Sequence, residues 1–145
     1  MDQIIRQLMS PKECVSFIEK HTDLISQARQ RAIELRALTH KNENLVENEL
    51  RKALYAYEEI LSKKNNRRTR ASRTWQMVNR YGIVVAAERA VNRNIEPMGY
   101  KMLVEMGLKN LSFEAVIANH PEEFSIEAVK KANQRLDELE LLLTV

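Results

Sequence analysis

Apolar residues recur along this chain at alternating spacings of three and four, the period of one helical face. In the first stretch Cys14, Ile18, His21, Ile25, Ala28, Ala32 and Leu35 follow it, flanked by Phe17, Leu24 and Leu38. Ser10-Pro11-Lys12-Glu13 supplies a start. It offers a Ser able to cap, Pro at the first helical position, and a Glu whose carboxylate reaches back to the cap N–H. The pattern predicts one helix over about 11–39, roughly 43 Å long at 1.5 Å per residue. Thr22-Asp23 offers a competing start, so any break falls near His21.

Asn44-Leu45-Val46-Glu47 repeats the capping signal, and Val46, Leu50, Ala53, Leu54, Tyr57, Ile60 and Leu61 then share one face to about residue 64. Two amphipathic helices joined by a short loop imply a hairpin over about 11–64. Continuing the second helix would place Lys64 and Arg68 on the stripe of Tyr57 and Leu61, so core packing stops near Asn65-Asn66. Helical signal resumes at Trp75, Met77 and Val78, meets Gly82, and runs from Ile83 to Val91. Pro97 opens another helix that Gly107 ends; Ser112 and Ser125 cap segments over about 113–119 and 126–143. On the last, Val129, Ala132, Leu136, Leu139 and Leu143 form the stripe.

Composition narrows the class. Gly and Pro contribute three residues each of 145, about 4% together against roughly 12% in average usage, too few for the turns of a sandwich or barrel. Gly82, Gly99 and Gly107 lie too far apart for a dinucleotide or phosphate-cradling loop. Cys14 is the single cysteine, which excludes an intrachain disulfide or a thiolate zinc site. The longest apolar run is Ile83 to Ala87, and no apolar signal core follows Asp2, so the expected setting is cytoplasmic with no membrane contact.

Charge supplies the one functional pointer. Residues 63–94 carry 9 basic side chains and a single acid, Glu88, whereas a solvated surface normally mixes both signs. Lys63, Lys64, Arg67, Arg68, Arg70, Arg73 and Arg80 can neutralise phosphates, and Trp75 or Tyr81 can stack an unpaired base. The competing reading pairs these cations with acids of the C-terminal third, in the same chain or in a second copy. Trp75 to Val91 also outlines a helix-turn-helix meeting at Tyr81-Gly82, but Glu88 falls where its second helix should bury an apolar residue.

Other candidates read as structural. His21, His40 and His120 show no metal-ligand spacing, and Cys14 and His21 stand about 10 Å apart on a helix, too far for a nucleophilic pair. Glu58-Glu59 and Glu122-Glu123 read as solvated acids, because adjacent residues diverge on a helix. Met98, Met102 and Met106 share a face and read as core.

The expectation is therefore a single all-α domain over 1–145. It comprises a long antiparallel hairpin (about 11–64), a basic connecting region (about 63–94) and a cluster of shorter helices (about 97–143). The expected function is non-enzymatic binding of DNA or RNA through Lys63, Lys64, Arg67, Arg68, Arg70, Arg73, Trp75 and Arg80. The alternative is a protein-interaction or regulatory module that self-associates as a homo-oligomer or docks an acidic partner. No cofactor, metal or small-molecule ligand is expected.

Overall fold

The computed structural model describes residues 1, 3–20, 24–40, 44–93 and 97–144. Its helices are α1 (Gln3–Arg6), α2 (Pro11–Lys20), α3 (Ile25–Ala37), α4 (Leu45–Asn65), α5 (Ser72–Tyr81), α6 (Ile83–Val91), α7 (Pro97–Glu105), α8 (Phe113–Asn119) and α9 (Ile126–Thr144). Short 3-10 turns at Lys109–Leu111 and Pro121–Glu123 flank α8, and no strand occurs among the described residues. The chain is all-α.

The long first helix expected from the sequence is instead two, α2 and α3, which pack against each other. His21 and Thr22-Asp23, the expected place of a break, lie outside the described residues. Glu13 N–H donates to the Ser10 hydroxyl at 3.1 Å, as the capping pattern requires. The inward face of α3 is Ala28, Ala32, Ile33 and Ala37, so Ala28 and Ala32 of the expected stripe are buried, whereas Leu35 is half-buried and Leu38 exposed.

Helix α4 positions everything else. The Asn44 side chain accepts from Glu47 N–H at 2.8 Å to start it. At its far end Asn66, in the left-handed region at φ 54°, lets its own N–H and that of Arg67 reach the carbonyls of Lys63 and Ser62. Val46, Leu50 and Leu54 join Val78, Ile83, Val91 and Ile117 in one apolar cluster. Ala56 and Ile60 join Ile33, Leu103, Met106 and Leu108 in a second. At about 1.5–3 kcal/mol for each large side chain fully buried, this double seam holds the fold. The partners of α4 include α3, α6, α7 and α8, which cover most of its stripe within the chain, while Tyr57 of the expected stripe is exposed.

Beyond α6 the serine caps form as expected: Ser112 Oγ accepts from Ala115 N–H at 3.0 Å and Ser125 Oγ from Ala128 N–H at 3.2 Å. Gly107 ends α7 at φ 73°, where a Cβ would stand 3.2 Å from Ser26 Cβ. Along α9 the buried face is Ala128, Ala132, Arg135 and Leu139. An arginine thus occupies the inward position next to the expected Leu136, which is half-buried. No helix of the described residues is long and apolar enough to cross a membrane.

Candidate nucleic-acid interface

The basic segment divides into two regions with different electrostatic fates. Its first part, the loop between α4 and α5, folds back onto α4 because Glu58 and Glu59 hold it there. Glu58 is only 5% exposed, and its Oε2 accepts from Ala71 N–H and from Trp75 Nε1–H, each at 2.8 Å. Arg70 Nε lies 4.0 Å from the same oxygen. Glu59 Oε1 accepts from Arg36 at 3.0 Å and from Arg68 at 2.8 Å. Ser62 Oγ accepts from Thr69 N–H at 2.9 Å, fastening the middle of the loop. The expectation that Glu58-Glu59 is a solvated pair is overturned. The two carboxylates do diverge, but one turns toward the start of α5 and the other toward Arg36 of α3, and each is matched by donors, as burial requires.

Trp75 is committed to the same seam. Its ring stacks on His40 at 6.2 Å between centroids and 27° between planes, and meets Tyr55 at 5.6 Å. The guanidinium carbons of Arg51 and Arg70 stand 5.1 and 5.5 Å from its centroid. His40 Nε2 lies 3.0 Å from the Tyr55 hydroxyl, and burial, reinforced by Glu58, pushes that hydroxyl's pKa up.

The second part behaves otherwise. Lys63 and Lys64 lie in the last turn of α4, where a cation complements the helix dipole, and Arg67 is exposed just beyond it. Arg73 and Arg80, seven residues apart, lie on the exposed face of α5. With Gln76, Met77, Tyr81 and Arg93 they line an open depression of about 500 Å³. Arg93 Nη2 donates to Met77 Sδ at 3.5 Å. Arg89 lies 3.9 Å and Arg80 5.9 Å from the Tyr81 ring centroid. No carboxylate lines this depression, and among the described residues none pairs with Arg73, Arg80, Arg89 or Arg93. Glu88, the segment's lone acid, instead accepts from Ser125 N–H at 3.0 Å, in front of α9.

Of the residues expected from sequence, the structure therefore brings Arg73 and Arg80 together and adds Arg89 and Arg93 to them. Arg68, Arg70 and Trp75 are engaged within the chain. The link between α5 and α6 is the single residue Gly82, at φ 87°. That is shorter than the turn of about three or four residues in a helix-turn-helix.

No protein family, curated protein or solved structure matches the chain.

A further feature is not visible in the sequence. A cavity of about 360 Å³ is walled by α4, α7, α8 and α9, and Arg135 lines it while only 4% exposed. Arg135 Nη1 donates to the carbonyls of Val91 and Ala90, closing the last turn of α6, and its Nε lies 3.8 Å from Glu114 Oε1. Burial lowers the guanidinium's pKa, against the opposing pull of Glu114. At one end of the lining, Tyr100 donates to Glu140 at 2.7 Å, and Lys109 pairs with the same carboxylate at 2.7 Å. The Lys109 and Tyr100 hydrogen bonds hold the Glu140 carboxyl below its ordinary range. Among the described residues no group of three or more His, Cys, Asp or Glu side chains is placed to hold a metal ion.

Proposed function

We propose that the protein binds duplex nucleic acid through the phosphate backbone, with the exposed face of α5 and the end of α6 as its binding surface. The observation that carries this reading is the depression lined by Arg73, Arg80 and Arg93 with no carboxylate beside them. Like charges gathered without a counter-charge repel one another, and a phosphate oxygen relieves that repulsion while accepting charge-assisted hydrogen bonds. Seven helical residues advance about 10 Å, so Arg73 and Arg80 are far enough apart to meet different phosphates.

The aromatic side chains favour a duplex over an unpaired strand. Single-stranded binding draws on open ring faces for stacking. Here Trp75 is stacked on His40, and Tyr81 has a guanidinium carbon 3.9 Å from its ring centroid. The surface presents several cations and one exposed ring, Tyr81, already in contact with Arg89, so phosphate contacts dominate and affinity is sequence-independent and steeply salt-dependent. Fluorescence anisotropy with a 20-base-pair duplex and each of its separated strands tests this. The expected result is tighter binding of the duplex and a roughly ten- to a hundredfold weaker affinity on replacing Arg73, Arg80 and Arg93 by Ala. Equal or tighter binding of the single strands, or an unchanged triple variant, rejects it.

A further inference from the structure

We propose that the cavity lined by Arg135 binds a small apolar carboxylate, its head group meeting that arginine and its body lying among leucines. Three observations converge. The first is an incompletely satisfied buried cation. Arg135 spends Nη1 on backbone carbonyls, its Nε stands 3.8 Å from Glu114, beyond hydrogen-bond reach, and Nη2 makes no hydrogen bond among the described residues. A guanidinium carries five N–H donors, and leaving them unpaired in a buried position is costly. Thr74, also buried and also lining the cavity, makes no side-chain hydrogen bond among the described residues.

The second is the sign and character of the lining. Lys64, Arg93 and Arg135 face one acid, Glu114, while Leu61, Leu103, Leu111, Phe113 and Leu139 supply apolar walls. Such a cavity selects an anion with an apolar body. Its volume of about 360 Å³ falls at the lower end of the roughly 300–1,000 Å³ typical of small-molecule sites.

The third is Gly99. It lies within α7 and lines the cavity, yet a Cβ built there has no atom within 4 Å. Neither backbone conformation nor packing requires a glycine at this position, and glycine is the poorest helix former after proline. What its missing side chain does provide is open volume inside the cavity.

Calorimetric titration with decanoate and with 1-decanol tests the proposal on the whole protein. Decanoate should bind with one-to-one stoichiometry and about tenfold or more tighter than decanol, the ratio expected of a charge-assisted hydrogen bond. Gly99→Phe, whose Cβ enters open space at the cavity lining, should keep the helical circular-dichroism spectrum and weaken decanoate at least tenfold. Arg135→Met should remove the preference for the acid over the alcohol; should that variant not fold, Gly99→Phe decides alone. Absence of decanoate binding, equal affinity for acid and alcohol in the parent protein, or undiminished binding to Gly99→Phe overturns the proposal.

Discussion

The loop before α5 and the exposed face of α5 both come from one arginine-rich stretch, yet they have opposite electrostatic surroundings. In the loop, the donors of residues 68–75 converge on Glu58 and Glu59: Arg68, the Ala71 N–H and the Trp75 indole are all satisfied there, with Arg70 close by. On the helix, Arg73, Arg80 and Arg93 gather around a depression with no acid in its lining. Cations that answer carboxylates serve the fold, and cations gathered without them are open to an external anion. Density of positive charge in a sequence therefore locates a region, while pairing in three dimensions decides which part of it is free to act.

The sharpest way to break this contrast is at Glu58. Replacing it by Ala strands the Ala71 N–H and the Trp75 indole N–H in a buried seam, each costing about 1–3 kcal/mol. Denaturant unfolding of Glu58→Ala should therefore show a loss of about 3 kcal/mol, and a loss below about 1 kcal/mol removes the structural role assigned to the loop. Next in size, Arg73→Ala with Arg80→Ala and Arg93→Ala should leave the melting temperature nearly unchanged while weakening duplex binding roughly ten- to a hundredfold, about 1.4 kcal/mol per factor of ten.

Gly82 gives an effect of a different kind. Its φ of 87° is one that side chains rarely adopt, although the space around it is open. Gly82→Ala should cost about 1–3 kcal/mol through the backbone alone, because φ 87° with ψ 162° is a region essentially restricted to glycine, visible as a lowered midpoint in thermal unfolding; an unchanged midpoint contradicts the strained geometry. Smallest of all is Arg68→Ala. Its partner Glu59 keeps Arg36, and Arg68 is itself half exposed. The loss should stay under about 1 kcal/mol, with duplex affinity unchanged in the same anisotropy titration.

Local signals carry much of the architecture. Asn44, Ser112 and Ser125 cap the helices whose starts they mark, and Pro97 and Gly107 bracket α7. These features act within a turn or two of chain, so they can be read without knowing the fold. The first arm is less legible, since one apolar period continues across a stretch where the structure has two helices packed together. Periodicity reports which face is apolar and not whether the chain turns back.

The site divides along the same line. Arg73 and Arg80 are visible in the sequence because seven-residue spacing on a helix is a local property. Glu58 looks solvated there because its donors arrive from Ala71 and Trp75, which reach it only when the loop returns to α4. Arg135 is hidden for a like reason: it borders an apolar stripe, and its partners Val91 and Glu114 belong to other helices. Gly99 is one glycine among three in the sequence, and only the open space beside it in the fold sets it apart.

Salt dependence tests the central claim most directly. Plots of log affinity against log salt concentration for a 20-base-pair duplex should be compared between two triple-alanine variants, one at Arg67, Arg68 and Arg70 and one at Arg73, Arg80 and Arg93. The second should flatten the slope by roughly 0.9 for each phosphate no longer neutralised, about 2.7 in all. The first should flatten it by less than about one unit, the contribution of Arg67 alone. A larger change from the first variant than from the second would place the phosphates on the loop and contradict the assignment to α5.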